Sequence, residues 1–169
     1  MIIKEYDLTD EIKQQLGFII RETRLKKLNE CKDTKLIENN PYTKENFCEN
    51  NQICHYHTLT KLENDIIKED SLYFIFLKKL NLSYQVNINE HQKYLSYLEN
   101  ILLDAIHAGE YIDDEKANKI YQELIEVSFS NDIIADLNLK LIRIFIKMHL
   151  NLKCDDEEIE FLQNFCQFF

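Results

Sequence analysis

The sequence predicts an all-α protein, and both its composition and its apolar spacing favour that class. Only 2 glycines and 1 proline occur among 169 residues, too few for the tight turns of an all-β fold. Hydrophobic residues make up 45% of the chain and aromatic residues 11%, a composition that supports a buried core and does not indicate disorder. Apolar residues recur at helical spacing through most of the sequence, which is long enough for one large or two small domains.

The first predicted helix covers residues 10–27. Thr9 or Asp10 can cap its N-terminus, and Arg24, Lys26 and Lys27 complement the helix dipole at its C-terminus. Its inner side would carry Ile12, Leu16, Ile19, Ile20 and Thr23. The polar residues 29–42 lack a clear period apart from Leu36-Ile37 and are predicted to form a loop, with a loop that contains one helical turn as the alternative.

Two short helices around a polar turn are predicted for residues 43–65. Thr43 is a hydroxyl cap, followed by Lys44 and by the acidic Glu45 in the first turn. Residues 49–52 are all polar and interrupt the apolar pattern, after which Leu59 and Leu62 lie three residues apart on one helix face. Such a pair is a helix-turn-helix, whose second helix can enter the major groove of DNA.

Residues 53–65 resemble the recognition helix of XRE-type bacterial repressors, nearest the branch of Rgg- and PlcR-like peptide-responsive regulators. The resemblance lies in the pair Ile53-Cys54 and in residues 60–65, which echo that family's Ser-Arg-Ile-Glu-Asn-Gly ending. Leu16-Gly17, Ile20-Arg21 and Arg24 match the family's first helix, and residues 70–72 and 77–82 match its fourth. Together these matches cover roughly half of the chain.

This resemblance implies a lambda-repressor-like helix-turn-helix domain over residues 1–84 and a transcriptional regulator that binds double-stranded DNA as a homodimer. It also implies an ion pair between Arg24 and Glu63 that ties the first helix to the recognition helix. Side chains expected in the groove are His55, Tyr56, His57, Thr60 and Lys61, and those expected on phosphates are Thr43, Lys44 and Lys68.

Residues 69–80 are apolar nearly all round, so this fourth helix should be buried on both sides. Residues 85–169 then predict a second domain of about four helices, at 91–108, 113–129, 131–151 and 155–168, with Gly109 ending the first. The two helix pairs lie about 40 residues apart, which suggests tetratricopeptide-like hairpins.

The second domain is expected to dimerise or to sense an effector. Its aromatic end, Phe161, Phe165, Phe168 and Phe169, is the expected contribution to a homodimer. Stacked helix pairs curve, and their inner groove suits a small peptide or protein effector. Candidate peptide contacts are Tyr94, Tyr97, Asn118, Tyr121, Asn138 and Arg143, of which Arg143 can take a terminal carboxylate. Each tyrosine also fits a place in the core or on the surface.

The distribution of charge keeps a second function open. The net charge is −10: residues 1–84 carry 11 Lys and 2 Arg against 14 acids, and residues 85–169 carry 6 Lys and 1 Arg against 16. No arginine occurs between Leu25 and Ile142, although arginine bidentate to guanine is the commonest specific base contact. The alternative is a protein-interaction module, such as an anti-repressor, immunity or antitoxin-like protein, whose helix-turn-helix no longer binds DNA.

No cofactor, metal or catalytic site is expected. Cys48, Cys54, His55 and His57 are soft ligands, but adjacent residues diverge on a helix, so we expect the thiols in the core and the imidazoles outside. The acidic residues 155–158 lack the central glycine of an EF-hand and are interpreted as a solvated first turn. Without a glycine-rich phosphate loop, a nucleophile elbow or an HExxH motif, the chain is not expected to be an enzyme.

A cytoplasmic location is expected. No apolar run approaches the length of a membrane span, and the first residues lack the apolar segment of a signal peptide. The five cysteines are scattered and odd in number, as is typical of reduced thiols.

Overall fold

Eight α-helices and no β-strand make up the regular structure of the computed structural model, which describes residues 8–31, 40–84, 88–110, 114–129 and 132–168. The predicted all-α class is therefore confirmed. The chain divides into two compact units, Met1–Leu82 and Ser83–Phe169. The helices are α1 (Asp10–Glu30), α2 (Lys44–Phe47), α3 (Tyr56–Asn64), α4 (Asp70–Lys79), α5 (Ile88–Glu110), α6 (Asp114–Glu126), α7 (Ile133–His149) and α8 (Asp156–Phe168). Within the described ranges, no helix has both the length and the apolar content needed to span a bilayer.

Side-chain caps fix where the first helices begin. Thr9 Oγ1 accepts a hydrogen bond from the Ile12 amide at 3.3 Å, which starts α1, and Thr43 does the same for α2. The helix α1 continues to Glu30, beyond the predicted end at residue 27, because basic side chains favour a helix end without enforcing one. Residues 32–39, most of the predicted loop, lie outside the described residues.

The segment between α2 and α3 differs from the prediction. Glu49, Asn50 and Asn51 all have left-handed backbone conformations, with φ of 53°, 51° and 73°. This turn keeps residues 53–54 out of the helix that was predicted to include them, and α3 begins only at Tyr56. His55 is its N-cap, since its Nδ1 accepts a hydrogen bond from the backbone amide of His57 at 3.3 Å.

The core of the first unit lies where α1 packs against α3 and α4. Asparagine, not glycine, ends α4: Asn81 is left-handed, and the Leu82 amide donates to the Leu77 carbonyl at 2.9 Å. Burial of α4 is less complete than predicted, since Ile75 stays exposed. The largest fully buried side chains of the first unit are Leu16, Phe18, Ile20, Phe47, Leu59, Leu62, Tyr73, Phe76 and Leu77.

In the second unit, α5, α6 and α7 pack on one another around a shared core. The helix α5 passes through Gly109, which was predicted to end it. Asp132 Oδ1 accepts from the amides of Ile134 and Ala135 and so starts α7. Buried members of the core are Leu98, Ala105, Ile120, Leu124, Phe129, Ala135, Leu139, Ile142 and Ile146.

The last helix, α8, has no buried residue among those described. Lys147 holds it to α7 through Glu158, at 2.6 and 2.8 Å, and Lys140 Nζ lies 3.7 Å from the centre of the Phe161 ring. Polar contacts thus hold α8 in place, while its apolar side chains remain partly open to solvent.

Candidate nucleic-acid interface

The inner side of α3 lies unusually close to α1. A β-carbon added to Gly17 would come within 3.0 Å of the carbonyl oxygen of Leu62, a distance that real side chains essentially never show. Because this oxygen belongs to the backbone of α3, no rotation of a side chain can relieve the contact. Gly17 therefore sets the spacing between the two helices.

The expected ion pair between Arg24 and Glu63 is present. Arg24 Nε donates to Glu63 Oε1 at 2.5 Å and Nη2 donates to Oε2 at 2.9 Å, which is the strong bidentate arrangement. Only 3% and 2% of these side chains are exposed. Arg24 Nη1 also donates to the Tyr42 carbonyl at 3.0 Å, so one guanidinium joins α1, α3 and the segment before α2.

Lys44 and Thr60, predicted to contact phosphate and groove respectively, bind each other. Lys44 Nζ donates to Thr60 Oγ1 at 2.8 Å and lies 3.9 Å from Glu63 Oε2. Thr60 in turn donates to the Tyr56 carbonyl at 3.0 Å. The ammonium of Lys44 thus links α2 to α3, and Thr43 Oγ1 is occupied as the N-cap of α2.

His57, Lys61 and Asn64 are all exposed and lie on the side of α3 opposite its buried residues; we call them the outer face of α3. Asn64 was not among the predicted DNA contacts, although its helical spacing from His57 would have placed it there. Its Nδ2 donates to the Thr60 carbonyl at 2.6 Å. Lys68, predicted to contact phosphate, is exposed in the loop that follows α3.

Three aromatic rings cluster at the start of α3. The ring centres of His55 and His57 are 4.9 Å apart, and Tyr56 lies 4.1 Å from His57 and 4.5 Å from His55. Both histidines are exposed, as expected, and together with Tyr56 they form one end of the surface that the sequence assigned to DNA. Stacked rings of this kind offer flat apolar surface beside ring nitrogens that can donate or accept hydrogen bonds.

A lysine of α4 holds the left-handed turn. Lys79 Nζ donates to the Phe47 carbonyl at 2.8 Å and to Glu49 Oε1 at 2.9 Å, and it lies 5.4 Å from the centre of the Phe47 ring. The role of this lysine is not evident from the sequence, because only the fold brings it to the turn. The turn itself exposes Glu49, which is paired with Lys79, and three amide side chains next to α3, so this edge of the surface is polar.

Two thiols flank the same turn. Cys48 is buried and Cys54 is half-buried, and their Sγ atoms are 3.8 Å apart. Burial raises the pKa of Cys48 to about 12 and also raises the pKa of Cys54. Among the described residues, no group of three or more His, Cys, Asp and Glu side chains is placed to hold a metal ion.

The start of α4 is tied to α1 by Asp70. Its carboxylate lies 2.7 Å from Lys13 Nζ and accepts a hydrogen bond from the Leu8 amide at 3.0 Å. Burial alone would raise the pKa of Asp70, but the bonds from Lys13 and Leu8 outweigh it and lower that pKa. These contacts hold α1 between α3 and α4.

The six residues predicted to bind a peptide lie in different surroundings. Tyr94 and Tyr121 pack against the core of the second unit, whereas Tyr97 and Asn118 are exposed. Asn138 donates to the Ile134 carbonyl within its own helix, at 2.9 Å.

Arg143 has a structural partner in place of the expected peptide carboxylate. Its guanidinium donates to the carbonyls of Leu124, Ile125 and Val127 at the C-terminal end of α6. The last carbonyls of a helix lack partners in a following turn and carry the negative end of its dipole, and the Leu124 carbonyl has only the Val127 amide, at 3.3 Å, as a backbone donor in the described turns and loops. Arg143, predicted to take a terminal carboxylate, thus caps the C-terminal end of α6 in this structure.

The acidic residues 155–158 form a capping arrangement. Asp155 Oδ1 accepts from the Glu158 amide at 2.8 Å, and Glu158 Oε2 accepts from the Asp155 amide at 3.0 Å. Glu158 is therefore bonded and half-buried, where the sequence predicted a solvated turn. At the aromatic end, Phe161 and Phe165 stack at 6.4 Å, and Phe169 lies outside the described residues.

A scan against protein-family models and searches of curated proteins and of solved structures find no match to this chain.

Proposed function

We propose that the first unit binds double-stranded DNA through α3, as a helix-turn-helix of the lambda-repressor-like kind, and that the protein regulates transcription. The observation that carries the proposal is the contrast between the two sides of α3. Its inner side is fixed to α1 by the Arg24–Glu63 pair and by the close contact at Gly17. Its outer face consists of polar side chains, with hydrogen-bond donors and acceptors suited to base edges.

The side chains of the outer face also suggest the base composition of the DNA site that α3 would recognise. Asparagine pairs with adenine through two hydrogen bonds, and lysine donates to the acceptors of guanine. Asn64 and Lys61 supply these two chemistries, and His57 supplies a ring that donates or accepts. Because no arginine is present on α3, we propose an operator rich in A·T pairs, contacted on its phosphates by Lys68.

DNA binding is tested by selection from a randomised pool of double-stranded DNA with the full chain, followed by fluorescence anisotropy on the enriched duplex. Lys61→Ala is expected to weaken binding about tenfold, because it removes a base contact. Lys68→Ala should weaken all duplexes equally and reduce the slope of log affinity against log salt by about one.

The matched control is Lys78→Ala, which removes an exposed lysine of α4 and is expected to leave binding unchanged. If no duplex is enriched by a folded wild-type protein between about 50 and 200 mM salt, the DNA-binding proposal is wrong.

A protein-interaction module is the second candidate, and two observations favour it. The ammonium of Lys44 is engaged by Thr60 and Glu63, and α3 carries no arginine. Such a surface offers few cations to a phosphate backbone, whereas a protein partner would not require them. Failure of DNA selection with an intact fold would leave this candidate in place.

We further propose that the protein is a homodimer joined through α7 and α8. Operators with two-fold symmetry mirror a two-fold axis of the protein, and one small domain provides few phosphate contacts. Four apolar side chains on or beside α7 and α8 are exposed, at Phe145 (44% exposed), Met148 (57%), Leu152 (41%) and Ile159 (45%). A second copy would cover them.

Met148→Glu is expected to convert the dimer to a monomer, since it places a charge at the most exposed of these four positions. Sedimentation velocity at about tens of micromolar measures the change, on the concentration scale of weak dimers. Leu103→Glu, the same type of change at an exposed residue of α5, is the control and should leave the dimer intact. A wild-type protein that sediments as a monomer throughout would contradict the proposal.

A further inference from the structure

The two thiols beside the left-handed turn are already held together by the backbone. The Ile53 amide donates to the Cys48 carbonyl at 3.2 Å, and the Asn50 amide donates to the Glu45 carbonyl at 2.9 Å. These bonds bring Cys48, before the turn, next to Ile53 and Cys54, after it. As a result, Cys48 Sγ and Cys54 Sγ touch at 3.8 Å.

We propose that Cys48 and Cys54 form a reversible disulfide bond that locks the turn between α2 and α3. A disulfide requires an S–S distance of about 2.05 Å and a Cβ–S–S–Cβ dihedral angle of roughly ±90°. The sulfur atoms must therefore approach by roughly 2 Å, a shift within reach of side-chain rotation. The inference does not depend on what α3 binds.

The unequal exposure of the two thiols sets the order of events. Cys54 is half-buried and open to a small reagent, whereas Cys48 is buried. A low-molecular-weight disulfide, such as oxidised glutathione, meets Cys54 first. Cys48 then acts as the resolving thiol, which attacks the mixed disulfide at Cys54.

The reaction is two thiol–disulfide exchanges in sequence. The Cys54 thiolate attacks one sulfur of the reagent, which forms a mixed disulfide and expels the first thiolate of the reagent. Cys48 loses its proton and attacks the Cys54 sulfur, which forms the Cys48–Cys54 bond and expels the second. The protein gives up two electrons and two protons, and the reagent is reduced to two thiols.

Burial affects the rate of this exchange. Since the thiolate is the nucleophile, the raised pKa values of both thiols make the reaction slow near neutral pH and faster as the pH rises. Among the described cysteines, Cys166 is exposed. Its rate of reaction can be compared with that of the Cys48–Cys54 pair, because its thiol is not buried. Oxidation of the pair is therefore expected to be slow near neutral pH.

Closing the bond would make a ring of seven residues, 48–54, that contains all three left-handed positions of the turn. A crosslink of this kind restricts the unfolded chain and holds the turn in its folded conformation. His55, the N-cap of α3, follows the ring directly. Oxidation would therefore fix the position at which α3 begins.

The experiment incubates the full chain with oxidised glutathione at about pH 8.5, near the ordinary thiol pKa, and then blocks the remaining thiols by alkylation. Peptide mass mapping is expected to find Cys48 joined to Cys54, and reduction should release the bond. The oxidised protein should melt about 5 °C higher or more, and reduction should reverse the shift.

Cys48→Ala and Cys54→Ala should each abolish the shift, whereas the control Cys166→Ala should retain it. Disulfide mapping of the wild-type protein tests the bond directly, even if a cysteine variant fails to fold. The proposal is overturned if Cys54 carries only glutathione, if the mapped bonds join other cysteines, or if oxidation leaves the melting temperature unchanged or lowers it.

Discussion

Arg24→Ala is expected to destabilise the first unit by about 3–5 kcal/mol, the cost of leaving one member of a buried ion pair without its partner. The Glu63 carboxylate would lose both hydrogen bonds from the guanidinium and retain Lys44 only at 3.9 Å. The Tyr42 carbonyl would lose its donor as well. Urea unfolding followed by circular dichroism measures the loss as a lower midpoint.

Two comparisons distinguish the effect of losing the ion pair from the effect of changing any arginine of α1. Arg21→Ala removes a half-buried arginine from the same helix and is expected to cost less than about 1 kcal/mol. The double variant Arg24→Leu with Glu63→Leu should cost less than the sum of the single variants, because no unpaired charge remains buried. Equal midpoints for Arg24→Ala and Arg21→Ala would show that the ion pair does not hold α1 to α3.

Gly17→Ala is expected to destabilise the first unit by about 2 kcal/mol, although alanine is the better helix former by about 1 kcal/mol. The new β-carbon would meet the carbonyl oxygen of Leu62, so α3 has to move away from α1. Gly17→Val should cost more, since its two methyl groups need further space. The expected shift of the melting temperature is about 4–8 °C downwards for each kcal/mol.

The control for Gly17 is Gln14→Ala, an exposed position of the same helix, which should leave stability unchanged or raise it slightly. Since the chain has two units, amide hydrogen exchange in α1 and α3 assigns the change to the first. A Gly17→Ala protein that melts higher than wild type would mean that helix propensity, and not close packing, determines the effect of this residue.

Local rules were sufficient for the helices themselves. Hydroxyl caps at Thr9 and Thr43 and apolar spacing along α5 to α8 are short-range signals, and the structure has helices at each of these places. The Arg24–Glu63 pair could be anticipated only from the resemblance to a family, because the two residues lie 39 positions apart. Periodicity alone carries no information on such a contact.

Contacts that depend on the fold could not be predicted from the sequence. Lys44, assigned to a phosphate, and Arg143, assigned to a peptide carboxylate, each bind an oxygen atom on another element, and Lys79, which was assigned no role, does the same. The late start of α3 was not predicted, because it depends on three consecutive left-handed residues at positions 49–51. Glycines there would have indicated left-handed backbone, whereas glutamate and asparagine do not. In physical terms, the sequence shows which groups need partners, and only packing decides which partners they obtain.

The contacts on the inner side of α3 also determine which side chains lose conformational entropy on folding and which lose it only on binding a partner. Arg24, Glu63 and Lys44 lose their rotamer freedom when the unit folds, because they bond to one another and to the Tyr42 and Thr60 positions. A partner that meets α3 therefore needs to order mainly exposed side chains, such as the three of its outer face, at about 0.5–1.5 kcal/mol each. The surface is preorganised, and a ligand that fits it would bind as to a rigid body, with α1, α2 and α3 moving together.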